Sequence, residues 1–213
     1  MVRICVMTSQ ARVYYSLVSR LRKADLPFIS LVSGTRHPEC DLTLTTRAES
    51  DTIGHSALPA ELLDDDPFVF KGQILSHLDD GRETLLIGVD PGRRIGMAVY
   101  YGETSLEFNS FDSMEILCSR VASFVRKVPA KKSLVRIGNG NSALAMGLAL
   151  SVTRRVPGAM IEIVDEAGTS VRGLRIKGVQ GDQRAAARIA IRKGVAFNQS
   201  PRSRASGAPA PEV

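Results

Sequence analysis

The stretch Thr84 to Gly102, TLLIGVDPGRRIGMAVYYG, limits what this chain can fold into more than any other, because it ends an apolar run on a carboxylate. Leu85 to Val89 has the character of a short central strand buried on both faces. Asp90 follows where that strand should leave its sheet, so its charge is expected to be functional or well paired. Pro91 and Gly92 make a turn, and Ile95, Met97 and Val99 alternating with Gly96, Ala98 and Tyr100 predict a returning strand. The expectation is a hairpin with Asp90 at its mouth.

Downstream, the apolar period switches between helix and strand. Ser105 to Phe111 suits a third antiparallel strand, Asp112 with Glu115 reads as a capping box, and Leu117, Val121, Phe124, Val125 and Val128 keep helical spacing. Ser133 to Ile137 predicts a fourth strand with Gly138-Asn139-Gly140 as its exit, and Ser142 to Arg155 a helix stopped by Pro157-Gly158. Met160 to Val164 then predicts a fifth strand running into Asp165-Glu166. In the last helix, Gly181 to Gly194, Asp182 shares a face with Ala186, Ile189 and Ala190. Arg184, Arg188 and Arg192 fall on the other side, toward solvent or a partner. Taken alone, Asp182 also reads as an acid that stabilises the first helical turn.

Residues 1–80 predict a separate small α/β domain. Its parts are a strand at Val2 to Met7, a Ser9-capped helix carrying Val13, Tyr14, Leu17, Val18 and Leu21, and strands at Leu26 to Val32 and Leu42 to Leu44. Its first turn, Thr8-Ser9-Gln10, lacks the glycines that close phosphate approach requires, so an interaction role is expected rather than a dinucleotide site. Ser50 to Pro67 reads as connector, and its run Asp64-Asp65-Asp66 as a solvated loop or helix end. Phe68 to Leu78 reads as a short strand and helix packing back on the first unit, and Asp79-Asp80-Gly81 as the boundary turn. A larger domain at 83–195 follows, then a Ser-, Pro-, Ala- and Gly-rich tail at 196–213 with no apolar period, expected to be disordered.

Charge divides along the same line: residues 1–82 hold 9 Lys and Arg against 11 Asp and Glu, and residues 83–213 hold 19 against 11. The basic part carries the Asp90 hairpin, which favours a phosphate-backbone partner. Cys5, Cys40 and Cys118 have neither even count nor C-x-x-C spacing, so buried free thiols are expected rather than a disulfide framework or zinc site. His37, His55 and His77 show no ligand spacing. With neither a membrane-length apolar run nor a secretion signal in the chain, a cytoplasmic location is expected.

Two families resemble the Asp90 hairpin. Its I-G-V-D-P-G turn and following G-M-A strand are similar to the opening motif of RuvC/YqgF-type nucleases in the ribonuclease H-like superfamily. It also resembles the phosphate-binding hairpin of the actin, sugar-kinase and heat-shock-chaperone group. That second architecture needs two such lobes, and no second acid-x-Gly hairpin follows Gly102. Strand order and the stretch IVDEAGTS, Ile163 to Ser170, extend the first resemblance over roughly residues 83 to 195. The stretch is similar to the D-E-R-x-T-T/S motif of the YqgF group, with Asp165 and Glu166 matching the acids, Thr169 and Ser170 the hydroxyl pair, and Ala167 departing from the arginine. The Asp182 helix resembles the closing helix of these nucleases. RuvC resolvases proper carry a glutamate at the fourth-strand exit, where this chain has Asn139, so it lies nearer the YqgF pattern.

The resemblance implies an α/β, ribonuclease H-like mixed five-stranded sheet and metal-dependent phosphodiester hydrolysis of structured nucleic acid, RNA or branched DNA. Asp90, Glu166 and Asp182 are the expected catalytic metal ligands, with Asp165, Asn139 and Thr169 beside them. Oxygen-only ligands suit Mg²⁺ or Mn²⁺, two ions roughly 4 Å apart being able to activate water and stabilise the leaving oxygen. Arg93, Arg94, Arg172, Arg175 and Lys177 are expected to contact phosphates, although the glycine-rich loop holding the last three also reads as a plain basic loop. A homodimer is a further expectation. The alternative is a non-catalytic nucleic-acid-binding or scaffold protein that retains the fold.

Overall fold

Two sheets, one wholly parallel and one mixed, share a helix between them. The structure is a computed structural model that describes residues 2–32, 39–53, 56–166 and 181–197. The first unit runs β1 (Ile4–Val6), α1 (Ala11–Lys23), β2 (Phe28–Ser30), β3 (Leu42–Thr45), α2 (Arg47–Ile53), β4 (Ala57–Pro59), a 3₁₀ turn (Ala60–Leu62) and α3 (Pro67–Leu78). Its strands are parallel in the order β2-β1-β3-β4. β1 and β3 are buried throughout, as inner strands of a parallel sheet should be.

The second unit runs β5 (Thr84–Pro91), β6 (Ile95–Tyr101), β7 (Thr104–Phe111), α4 (Met114–Lys127), β8 (Lys132–Gly138), α5 (Ser142–Arg155), β9 (Met160–Val164), α6 (Gly181–Ile191) and β10 (Val195–Ala196). Strand order is β10-β9-β8-β5-β6-β7, with β5, β8 and β9 parallel and β6, β7 and β10 antiparallel to their neighbours. Leu85, Ile87 and Val89 of β5 are fully buried in the core built with α4 and α5. On the opposite face Ala98 packs against Ala186 and Ala187 of α6. The chain is therefore α/β throughout, and among the described residues no helix is long and apolar enough to cross a membrane.

Several expectations are corrected. The connector at Ser50 to Pro67 instead supplies the end of α2 and a fourth strand, since Leu58 can pair beside Leu44 and bury its side chain. The sheet of the second unit has six strands rather than five, because β10 returns along β9 after α6 ends. Ser9 does not cap α1: the N-cap is Gln10, and Ser9 donates to Glu49 instead. Nor do Asp112 and Glu115 form a capping box, the α4 N-cap being Ser113 with no side-chain bond. Cys5 and Cys40 are joined as a disulfide with Cα atoms 6.1 Å apart. Pairing of β1 with β3 brings the two cysteines together across a separation of 35 residues, which spacing alone conceals. Cys118 remains a buried free thiol.

α3 belongs to both units. Phe70 and Ile74 enter the core of the first, while Val69 enters the core of the second. Asp66 caps α3 by accepting from the Phe68 and Val69 amides at 3.0 Å. It also pairs with Arg120 of α4, whose guanidinium reaches the buried Glu107 at 2.7 Å and lies over the Phe124 ring. Lys127 pairs with Asp64 at 2.5 Å. The acidic run thus caps the start of α3 and ties the two units together. The tail from residue 198 lies outside the described residues.

Candidate active site

Strand pairing settles which way Asp90 points. Asp90 stands directly opposite Gly96 in the β5–β6 register, and directly paired residues share a face of the sheet. A side chain on Gly96 would collide with the Asp182 carbonyl, so this face is the one covered by the start of α6. Gly88, two residues before Asp90, leaves room in the same way for the α6 backbone at Ala186 and Ala190. The small residues of the hairpin and of the helix therefore have a joint role: they seat α6 so low that its first turn lies over the Asp90–Gly96 rung.

Glu166 arrives from the other side. It lies two residues beyond β9, and its Oε1 accepts a 2.9 Å hydrogen bond from the Gly140 amide at the exit of β8. A side chain on Gly138 would strike Glu166 and Ile189, so the Gly-Asn-Gly exit is shaped to let this carboxylate cross the end of its neighbouring strand. Asp90 on β5, Glu166 beyond β9 and Asp182 on α6 thus share one sheet edge, with β8 between the first two.

Electrostatics carries the same message. The Asp90 carboxyl is pushed up to about 6, first by burial and then by the negative charges of Glu166 and Asp182. Asp182 differs. Burial pushes it upward, but the polar groups around it, the neighbouring Ser110 hydroxyl, amides at its own helix start and the charge of Arg94, outweigh that and hold it below the usual carboxylate range, although Ser110 Oγ stands outside hydrogen-bond geometry. The edge therefore combines an ionisation-resisting acid with a neighbour stabilised as the anion.

The remaining expected residues fall as follows. Arg93 and Arg94 are exposed on the β5–β6 turn beside Asp90, with Arg94 3.2 Å from Asp112. Asn139 is exposed at the β8 exit, its amide donating to the Val164 carbonyl. Asp165 is exposed and is not among the charges acting on Asp90. Thr169, Ser170, Arg172, Arg175 and Lys177, with Ala167, lie outside the described residues. Among the described residues no group of three or more His, Cys, Asp or Glu side chains closes into a ready metal-holding set. Glu166 is drawn toward Gly140 and Asp182 toward its own helix start, so the carboxylates gather at an edge without forming one cage.

The α6 flank expected to face solvent or a partner holds a cavity. Arg188 and Arg192 do not simply face solvent: with Glu166, Ala185 and Ile189 they line a cavity of about 170 Å³. Helical spacing rightly separates them from Asp182, yet the flank turned away from Asp182 is the one that Glu166 reaches over Gly138. Ser110, opposite Gly96 in the β6–β7 register, is brought near Asp182 by that pairing, which the sequence alone conceals, and its buried hydroxyl has no hydrogen-bond partner among the described residues. Compared with known proteins, the chain matches no family model, no curated protein and no solved structure.

Proposed function

We propose that this chain hydrolyses phosphodiester bonds in structured nucleic acid, RNA or branched DNA, as a RuvC/YqgF-like enzyme of the ribonuclease H-like superfamily. The observation that carries this reading is the meeting of Asp90, Glu166 and Asp182 at one sheet edge, with Asp90 raised to about 6 by burial and the other two charges. The order β7-β6-β5-β8-β9, with β6 antiparallel and a closing helix over β5 and β6, supports the finer fold assignment.

The donor set suits Mg²⁺ or Mn²⁺, since carboxylates facing one another repel unless a cation sits among them. Asp90, Glu166 and Asp182 would hold it, with Asn139 near enough in the chain fold to add a neutral oxygen. When bound, such a cation supplies activation of water and stabilisation of the leaving oxygen. Glu166 would exchange the Gly140 amide for that role. The protein's own share is to keep three anions at one edge, to exclude water from the half-buried Asp90, and to offer Arg93 and Arg94 to flanking phosphates. A dimer would suit a symmetrical branched substrate. A cytoplasmic location belongs to the same reading, and the Cys5–Cys40 bond stands against it, since structural disulfides are rare there.

A second reading, a nucleic-acid-binding or scaffold protein without hydrolysis, draws on the Glu166 bond to Gly140 and the absence of a closed ligand set among the described residues. Cleavage of a panel of hairpin RNAs and four-way DNA junctions in Mg²⁺, Mn²⁺ and EDTA separates the two. Metal-dependent cleavage that disappears in Asp90→Asn is expected. Binding without cleavage under every metal condition would establish the second reading.

A further inference from the structure

We propose that Arg188 is a phosphate-binding residue of this edge, gripping a backbone phosphate oxygen of the nucleic acid on the Glu166 side of Asp90. The inference rests on the nucleic-acid part of the reading above, not on hydrolysis. Arg188 Nε is buried yet has no hydrogen-bond partner among the described residues. An unpartnered donor is destabilising, more so when it carries charge; no protein acceptor among the described residues satisfies this Nε, and the half-buried side chain that bears it lines a cavity where an outside acceptor can approach. Glu166 lines the same cavity, but its carboxylate is drawn to the Gly140 amide, and no hydrogen bond or ion pair joins it to Arg188.

The cavity's other walls fit that acceptor. Ala185 leaves space, Ile189 closes the floor beside Gly138, and Arg192 one helical turn on adds positive charge. A guanidinium presents parallel N–H groups that match phosphate oxygens, which a carboxylate-rich edge could not otherwise attract. Arg94 acts on Asp182 at the opposite end. A strand crossing the edge would then meet a basic group on each side of the carboxylates, an alternation suited to a phosphate backbone.

The test uses the full chain and fluorescein-labelled four-way junction DNA and hairpin RNA, with anisotropy read in EDTA over a series of salt concentrations. Arg188→Gln is expected to weaken binding about tenfold and to reduce the log–log salt slope by about one, as loss of a single phosphate contact does. Arg188→Lys should keep the slope while recovering only part of the affinity, and Arg184→Gln, exposed on the same helix, should leave both unchanged. Thermal melting verifies that each variant is folded; should Arg188→Gln fail to fold, the lysine variant decides by its affinity. Wild-type affinity and slope in a folded Arg188→Gln protein would overturn the proposal, as would an absence of binding by the wild type. Stabilisation by inorganic phosphate that depends on Arg188, with nucleic-acid binding unaltered, would overturn it in favour of a free-anion site. If the wild type binds through Arg188 but never cleaves, the phosphate assignment stands and the hydrolytic reading alone falls.

Discussion

Each of the two sheets brings a carboxylate to the exit of its parallel strands, and the two are treated in opposite ways. In the first unit Glu49 accepts from the Ser9 amide at 2.8 Å, the Ser9 hydroxyl at 2.6 Å and the Thr46 hydroxyl at 2.7 Å. Burial works against its ionisation, but these donors outweigh it and hold the carboxyl well below the usual range. In the second unit Asp90 meets burial and two like charges, with no donor among the causes of its upward shift. A carboxylate already supplied with hydrogen bonds is a fastener. One left among other anions stores unfavourable electrostatic energy that a cation or a proton can release, and such groups cluster at functional sites.

The largest expected contrast is therefore in chemistry. Under the proposed hydrolytic function, Asp90→Asn should lower metal-dependent cleavage by at least about a hundredfold, the scale of losing one essential charged group at a reacting centre. Glu49→Gln should leave it near wild type. Single-turnover cleavage of one junction and one hairpin, measured on both variants, checks this. Equal loss in the two would break the distinction between fastener and functional acid.

How far the sequence reveals this contrast differs by level. Ser142–Arg155 and Met160–Val164 are legible to the residue, because an Ala-rich helical period and an apolar run are each bounded by unambiguous Pro, Gly or Asx signals. The sharing of one edge by Asp90, Glu166 and Asp182 is also legible, since each lies at or just beyond the end of a regular element, although β5 continues through Asp90 to Pro91 rather than ending before it. Glu49 is not, because its donors come from another strand's exit through the β1–β3 pairing. The same long-range pairing hides the disulfide, and the low seating of α6 on Gly88 and Gly96 hides the meeting of Arg188 with Glu166. Local period predicts elements; it does not state which flank of a helix a neighbouring strand will reach.

Separating the units is the next largest test. α3 divides its apolar side chains between two cores, so residues 83–197 alone would lose Val69 from their core and the Asp66 partner of Arg120. The fragment should be less stable than the same unit in the full chain by about 3 kcal/mol, combining one buried aliphatic side chain with a weakened, partly buried ion pair. Urea unfolding of the full chain should follow one cooperative transition. Two separate transitions, with the later one matching the fragment, would mean that the boundary near Asp79 to Gly81 is energetic as well as topological.

Gly96→Ala perturbs the second edge without removing a charge. The added methyl would run into the Asp182 backbone, and overpacking against backbone typically destabilises by about 1–3 kcal/mol. Because α6 must rise, Asp182 should recede and the Asp90 carboxyl should titrate nearer its ordinary value. Gly158→Ala, with nothing within 4 Å of the new methyl, should change stability by less than about 0.5 kcal/mol. Carboxyl titration by NMR together with thermal melting reads both effects, and an unmoved Asp90 titration would show that Asp182 contributes little to it.

The smallest effect is a difference of sign with pH. Asp90 titrates at about 6 in the folded chain, above the value near 3.9 of an unfolded aspartate, so between those values the native state holds the extra proton. Its contribution to stability is fully present below about pH 4 and is lost as pH rises through about 6. Asp90→Asn should consequently melt higher than wild type above pH 7, by roughly 1 kcal/mol once the shift is discounted for solvent around a half-buried group, and the gap should close in acid. Glu49 has the opposite sign: its folded value is depressed, so its contribution is present above about pH 4.3 and is lost as pH falls through the folded value. Glu49→Gln should melt lower than wild type at neutral pH, by about 1 kcal/mol, with that gap also closing in acid. Stabilisation by one variant and destabilisation by the other at the same pH would be hard to obtain from generic surface-charge effects, since each substitution removes one negative charge from a basic protein. Metal-free melting from pH 2 to 8 measures both curves, the Asp90 gap closing between about pH 6 and 4 and the Glu49 gap only below about pH 4. Were Asp90→Asn to melt below wild type throughout, Asp90 would be a fastener like Glu49, and the contrast between the two sheet edges would collapse.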